Sequence, residues 1–161
     1  MPAPKPHAES DPDFVYVVYI AAPPEKVWAA LVDNKTERAW WWNTRHDSDF
    51  KPGSSIRYVR NGEVDIEGEV LESDPPNRLV YTFRSGSPGP QHDEGYTQVE
   101  HRIEVYDGWT KLTLIHSNFK RDSAVRKGVS GGWPAILSGL KSVLEGVEHM
   151  PFARQGEVSK A

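Results

Sequence analysis

Residues 96–118, YTQVEHRIEVYDGWTKLTLIHSN, carry the clearest pattern in the chain. Apolar and polar residues alternate on both sides of Asp107-Gly108, a pair that favours the tight turn of a β-hairpin. Each predicted strand therefore has one largely apolar face, made of Val99, His101, Ile103 and Val105 in the first and Thr110, Leu112, Leu114 and His116 in the second. His101 and His116 are the histidines that these faces direct towards the interior of the protein.

Four further segments have the composition of strands. They cover residues 14–20, 54–59, 63–71 and 79–84, and they are rich in β-branched and aromatic residues. Asn61-Gly62 predicts a type I′ turn between the second and third of them, because that turn needs two residues with positive φ. Residues 85–95 are rich in Gly, Pro and Ser and predict a loop.

Helical signals lie at the two ends of the strand region. Pro24 suits the first turn of a helix that buries Val27 and Leu31, and Asn34 is a candidate cap for a second short helix that ends in three tryptophans. A long helix is predicted after Asp122 or Ser123, with a kink near Pro134 and an end near Gly146. Its apolar stripe consists of Val129, Trp133, Ile136, Leu137, Leu140, Val143, Leu144 and Val147.

The order of these elements predicts an α+β fold. The sheet and the long helix each have one apolar face, and both faces are buried if the helix lies across the sheet. Because a sheet of this size curls, we expect a space between it and the helix. Residues 13–150 are predicted to form one domain, flanked by polar tails at residues 1–12 and 151–161.

Composition excludes several classes of function. Lys and Arg number 19 and Asp and Glu number 23 among 161 residues, and the net charge of −4 argues against a dedicated nucleic-acid binder. Cysteine is absent, which removes disulfides, thiolate metal sites and cysteine nucleophiles. The chain has no signal-peptide pattern and no apolar run long enough to span a membrane, so a cytoplasmic location is expected.

Five segments in sequence order carry a resemblance to a known family. They are residues 20–31, 50–53, 68–83, 109–116 and 132–140, with IAAPPEKVWAAL the first and GWPAILSGL the last. They resemble the bacterial proteins similar to the C-terminal domain of the heat-shock protein 90 ATPase activator, within the START-like (SRPBCC, birch-allergen-like) superfamily. The resemblance implies a helix-grip fold, in which a curved antiparallel sheet of about six to seven strands, with two short helices, holds a long C-terminal helix over a hydrophobic cavity.

Inward aromatic and imidazole side chains are the candidate ligand contacts. An imidazole both donates and accepts hydrogen bonds, and an indole or phenol ring can hold a flat apolar molecule. The alternative is that these side chains fill the core and satisfy one another. The candidates are Tyr16, Trp41, Trp42, Tyr58, Tyr81, Phe83, His101, His116 and Trp133.

The sequence is compatible with three functions. The first is a carrier or sensor of a small apolar or aromatic molecule, because no catalytic motif, metal-ligand set or cofactor motif is found. The second is a cavity enzyme of the cyclase or dehydratase type that uses His101 or His116 as base. The third is a partner protein of a chaperone, which the family resemblance implies; a monomer and a homodimer are both compatible with the sequence.

Overall fold

A curved antiparallel sheet of seven strands forms the body of the computed structural model, which describes residues 10–149. The strands lie side by side in the order β1-β7-β6-β5-β4-β3-β2, so that β1 and β2 form the two edges. Their bounds are β1 Phe14–Ile20, β2 Arg45–Ser48, β3 Ser55–Arg60, β4 Glu63–Asp74, β5 Arg78–Ser85, β6 Thr97–Tyr106 and β7 Trp109–Ser117.

The two hairpin turns form where the sequence predicts them. Asn61 and Asp107 have φ near +52°, and the glycines that follow them, Gly62 and Gly108, have φ of 76° and 82°. Two consecutive residues with positive φ are the requirement of the type I′ turn. Register shifts at Tyr58/Val59 and between Val70 and Glu72 then bend the sheet, as β-bulges do.

The helices lie mostly on the concave side of the sheet. Helix α1 covers Pro24–Leu31, α2 is a four-residue helix at Pro90–Asp93 within the predicted loop, and α3 runs from Ala124 to Leu144. Pro134 lies inside α3, which continues without a break. The predicted second short helix is a single 3-10 turn at Ala39–Trp41, and the chain that follows it forms the unpredicted strand β2.

The core lies between the concave face and α3. Ile56, Val99, Leu112 and Leu114 reach it from the sheet, and Leu137 is among the α3 side chains that reach it. The opposite, convex face divides into two halves. Charged residues of β2 to β5 cover one half, and near the β1 edge Val15, Val17, Tyr19, Tyr106 and Trp109 are 40–56% exposed.

The open edge of β1 is closed at one end by α3. Lys141 Nζ donates to the Tyr19 carbonyl at 2.7 Å, and Glu145 accepts a 2.7 Å hydrogen bond from the Ala21 backbone N–H. Lys141 and Glu145 also pair with each other at 2.6 Å. This charged clasp occupies backbone groups that would otherwise be available for strand pairing.

The start of α3 is held by side chains from distant parts of the chain. Ser123 Oγ accepts from the Arg126 N–H at 3.0 Å, and Asp11 accepts from the backbone N–H groups of Asp122 and Ser123 at 3.1 and 2.9 Å. Asp11 and Pro12 thus contact the start of α3, whereas residues 1–9 and 151–161 of the predicted tails lie outside the described residues.

Replacing the Ser123 cap is expected to destabilise the protein. Ser123→Ala leaves the Arg126 N–H without its side-chain acceptor and removes the hydrogen bond that the Ser123 hydroxyl donates to Glu94; loss of the cap by itself costs about 1 kcal/mol. The measurement is urea unfolding followed by circular dichroism. Ser130→Ala is the matched control, because the Ser130 hydroxyl only donates back to the Arg126 carbonyl within the helix. Equal stability of the two variants would contradict the role of the cap.

Candidate functional site

The middle of the interior is filled by aromatic rings packed around Trp133 of α3. The Trp133 ring lies 5.5 Å from that of Trp41, 6.3 Å from Phe83, 6.0 Å from His101 and 6.1 Å from His116, measured between centroids. Three of these contacts are edge-to-face, a favourable arrangement for aromatic rings. The space expected between sheet and helix is therefore largely occupied by side chains at its centre.

Open space remains at one end of the interior, in what we call the α3 cleft. Its volume is about 350 Å³, and it lies between α3, the 3-10 turn with the residues that follow it, and strands β3 to β5. Apolar walls come from Trp41, Trp42, Tyr58, Ile66, Phe83, Val129, Trp133 and Ile136. Thr44, Arg60, Asp65, Ser85 and Gln91 add polar groups, with Arg60 Nε 2.9 Å from Asp65 Oδ2.

The sequence candidates divide into two groups around this cleft. One group lines it and consists of Trp41, Trp42, Tyr58, Phe83 and Trp133. The second group lies away from its walls and consists of Tyr16, Tyr81, His101 and His116. Tyr16 is half-buried on β1 and packs against the core, whereas the other three lie buried behind the wall. The fold thus gathers the tryptophans and separates the histidines from the open space.

A tight loop, which we call the tryptophan turn and define as residues 38–44, presents Trp41 and Trp42 to the cleft. It closes where the Arg38 N–H donates to the Thr44 carbonyl at 2.8 Å. Trp42 and Asn43 have φ of 48° and 57°, a left-handed conformation that is uncommon for an indole-bearing residue. This backbone course separates neighbouring rings, so that Trp41 is buried and Trp42 is half-buried on the cleft wall.

A chain of hydrogen bonds leads from the cleft wall into the core. The hydroxyls of Tyr58 and Tyr81 hydrogen-bond each other, and the Tyr81 hydroxyl lies 3.0 Å from His101 Nε2. Burial raises the pKa of both tyrosines, so both are neutral phenols. Burial, together with the Arg38 charge, lowers the pKa of His101 to about 4, and the imidazole is therefore neutral at neutral pH.

His116 is engaged on both ring nitrogens. Trp133 Nε1 donates to its Nδ1 at 3.0 Å, and the Thr97 hydroxyl lies 2.7 Å from its Nε2. Because Nδ1 accepts, the ring proton of the neutral form is on Nε2, which donates to Thr97. Burial lowers the pKa of His116 to about 3. This histidine is a satisfied core residue that positions Trp133.

Arg38 is a buried cation behind the tryptophan turn. Only 2% of its surface is exposed, and its Nη2 donates to the backbone carbonyls of Ala30, Leu31 and Asp33 at the end of α1. Its guanidinium carbon lies 5.9 Å from the ring centre of Trp41. Burial lowers the pKa of Arg38 to about 10, which still leaves it charged at neutral pH.

His46 lies on the other side of the Tyr58 ring. The two rings stack with centroids 4.0 Å apart and an interplanar angle of 5°, and Trp41 meets the imidazole edge at 4.3 Å. Burial lowers the pKa of His46 well below its usual value, and the Arg38 charge acts in the same direction. Sequence reasoning missed Arg38 and His46, because an Arg in a polar segment is ordinarily exposed and RHDS has little strand character.

Two classes of site are not found in the part of the chain that the structure describes. No group of three or more His, Asp or Glu side chains in residues 10–149 is placed to hold a metal ion. Within the same range, no helix has the length and apolar character needed to cross a membrane.

A long helix held against a curved antiparallel sheet, with a cleft beside the helix, defines the helix-grip class of the START-like superfamily. A comparison with family models then identifies the family. The chain belongs to the family described as "Activator of Hsp90 ATPase homolog 1-like protein", whose model matches residues 21–145. A search of curated proteins gives no significant match.

Solved structures share this fold along nearly their whole length. Protein MLL2253 from Mesorhizobium loti is 25% identical with a TM-score of 0.73, over 85% of this chain and 99% of that one. The Aha1 dimer from Colwellia psychrerythraea is 21% identical with a TM-score of 0.68, over 84% of this chain and 97% of that one. PFC0360w, described as an HSP90 activator from Plasmodium falciparum, is 22% identical with a TM-score of 0.68, also over 84% and 97%.

Proposed function

We propose that the protein binds a small, flat, largely apolar molecule in the α3 cleft and acts as a carrier or sensor of it. The observation that carries this proposal is the concentration of aromatic side chains on one open cleft. Trp41, Trp42, Tyr58, Phe83 and Trp133 all contribute to its walls. Ligand sites are typically concave and aromatic, with a small number of polar groups that orient the ligand.

The dimensions of the cleft restrict the ligand. About 350 Å³ lies at the lower end of the range for small-molecule sites, and edge-to-face rings form the inner wall. A flat molecule of two or three fused or linked rings fits such a space better than a long acyl chain. Arg60, Asp65 and Gln91 at the polar side offer both donors and acceptors for a substituent.

Binding of N-phenylnaphthylamine, a neutral aromatic fluorophore, tests this function. We expect its fluorescence to rise with the wild type, and Trp42→Ala to weaken binding by about tenfold, because a half-buried indole contributes roughly 1–2 kcal/mol of contact. Trp109→Ala is the matched control, since Trp109 is 51% exposed on the convex face. Titration by fluorescence at constant protein concentration gives the dissociation constant of the fluorophore for the wild type and for each variant.

Two outcomes of that titration would contradict the proposal. One is absence of saturable binding by wild type whose fold is confirmed by circular dichroism. The other is equal weakening by Trp42→Ala and Trp109→Ala, which would place the fluorophore on the surface. A bound ligand also stabilises the native state by mass action, so the melting temperature should rise with ligand concentration.

A second candidate function is contact with an ATPase of the Hsp90 class. It is supported by the family and by the exposed apolar residues beside the β1 edge, Val15, Val17, Tyr19, Tyr106 and Trp109. Exposed apolar patches of this kind mark protein contacts in many proteins. The test measures how far the wild type and the Val17→Asp variant each stimulate the ATPase rate of a bacterial Hsp90. No stimulation by folded wild type would exclude this candidate.

The cavity-enzyme hypothesis remains a prediction. His101 and His116 lie behind the cleft wall, and each is held by neighbouring side chains. A substrate in the cleft would meet Tyr58 first, and His101 acts on it only through Tyr81. If turnover of a cleft ligand is found, its survival in the double variant His101→Gln, His116→Gln would exclude these histidines as the base.

A further inference from the structure

Directly behind the cleft wall, several buried polar side chains occur together. We call Arg38, His46, Tyr58, Tyr81 and His101 the buried polar cluster. Three of its members, Arg38, His46 and His101, carry side-chain atoms without a hydrogen-bond partner among residues 10–149. Within the cluster these atoms are Arg38 Nε and Nη1, His46 Nε2 and His101 Nδ1. Each of these three side chains is at most 2% exposed. Buried polar atoms are nearly always hydrogen-bonded, so four in one region require an explanation.

The members of the cluster lie within electrostatic reach of one another. The Arg38 charge lowers the pKa of both His46 and His101, and it acts on Tyr58 and Tyr81 as well. His46 stacks on Tyr58, and His101 connects to Tyr58 through Tyr81. Arg38 and His46 thus lie against the wall formed by Trp41 and Tyr58, which also faces the cleft, and His101 is connected to that wall through Tyr81.

The chemistry of these atoms indicates what they bind. The Arg38 atoms are N–H donors that carry a positive charge, and each imidazole nitrogen is either a donor or an acceptor. Among the described residues Arg38 hydrogen-bonds only backbone carbonyls, and the Asp33 carboxylate acts on its charge from a distance. Burying a cation is costly, and an oxygen that bears negative charge is the acceptor that best satisfies the unpartnered Nε and Nη1 groups of Arg38.

We infer that the ligand of the α3 cleft carries an acidic oxygen, such as a carboxylate or phenolate, and that Arg38 receives this oxygen with His46 or His101 beside it. The inference rests on the proposed function and adds the class of ligand, an aromatic acid. The ring of the ligand takes the place of the Trp41 ring at the inner end of the cleft, 5.9 Å from the Arg38 guanidinium carbon, so that its acidic oxygen reaches Arg38. Trp41 lies between the two regions, so binding displaces its ring.

Competition against N-phenylnaphthylamine by two matched compounds tests the inference. Naphthoate and ethylnaphthalene have the same ring system, but only naphthoate carries the charged oxygen. We expect wild type to prefer naphthoate by about tenfold or more, the size of effect that a hydrogen bond to a charged group provides. Arg38→Met should abolish the preference and leave the affinity for ethylnaphthalene unchanged.

Arg60→Met is the matched control, because Arg60 is the cation that lines the cleft itself. If Arg60→Met rather than Arg38→Met removes the preference, the acidic group binds at the cleft mouth and the inference is wrong. Equal affinity of the wild type for both compounds would mean that water, and not the ligand, hydrogen-bonds the unpartnered atoms of the cluster. This result would contradict the inference and leave the proposed function intact. Absence of binding by either compound and by the fluorophore would instead remove the proposed function.

A measurement on the wild type covers the case in which Arg38→Met does not fold, since Arg38 also caps α1. The Nε–H resonance of Arg38 in a nitrogen-15 spectrum should shift on addition of naphthoate and stay in place with ethylnaphthalene. An Arg38 resonance that responds equally to both compounds would overturn the inference.

Discussion

Mild acid is expected to destabilise the protein strongly. His101 and His116 are buried and neutral, with pKa values lowered to about 4 and about 3, and burial lowers the pKa of His46 in the same direction. An unfolded histidine has a pKa near 6.5, so below that pH the unfolded chain binds more protons than the native one. The free energy of unfolding therefore has its full value above about pH 7 and falls as the pH drops below that.

The size of this effect follows from the shifts. At about pH 5, His101 and His116 should each reduce the free energy of unfolding by about 2 kcal/mol, with a further reduction from His46. Most carboxylates remain ionised at that pH, so the histidines dominate the change. Urea unfolding at a series of pH values between about 7.5 and 5 measures it.

His116→Gln provides the control for the acid effect. It removes one titrating group while its amide can still meet Trp133 and Thr97, so the stability should depend less steeply on pH. The slope should fall by up to about 1.4 kcal/mol per pH unit, which corresponds to one proton. A wild type equally stable at both ends of the series would contradict the burial of neutral imidazoles.

Gly68→Ala should be among the most damaging single substitutions in the chain. A Cβ at Gly68 would lie 1.8 Å from the backbone oxygen of Thr82 on the neighbouring strand β5. This atom belongs to the sheet and cannot move away as a flexible side chain would. We expect a loss of at least about 3 kcal/mol, measured by urea unfolding, or failure to fold.

Gly131→Ala is the opposite case and serves as control. Gly131 lies exposed in the middle of α3, and an added Cβ there would meet no atom within 4 Å. Since alanine favours the helix over glycine, this variant should gain up to about 1 kcal/mol. A shift of stability in the same direction by both alanine variants would contradict the close approach of β4 and β5 at Gly68.

The strand and helix pattern was predictable because it depends on local periodicity. Asn61-Gly62 and Asp107-Gly108 specify their turns through positive φ, and Ser123 specifies the start of α3. The segment after α1 was not predictable in the same way. Residues 34–42 have helical composition, yet only Ala39–Trp41 form a turn, because the chain closes on itself between Arg38 and Thr44.

The candidate site was predictable only in part. Alternation along the strands places Tyr58, Phe83, His101 and His116 on the inner face, and these side chains are buried there. Which of them reach open space depends on how Trp133 and Trp41 pack between the layers, and that is a tertiary property. Arg38 is the clearest example, because its burial follows from the path of the tryptophan turn rather than from its neighbours in sequence.

The charged clasp that α3 places on β1 has a consequence for the behaviour of the protein in concentrated solution. Lys141 and Glu145 occupy the Tyr19 carbonyl and the Ala21 N–H at a sheet margin whose outward side chains are Val15, Val17 and Tyr19. An uncovered strand margin is a template at which the sheets of neighbouring molecules join into fibres. By covering two backbone groups, α3 shortens the part of this margin that a neighbouring molecule can pair with.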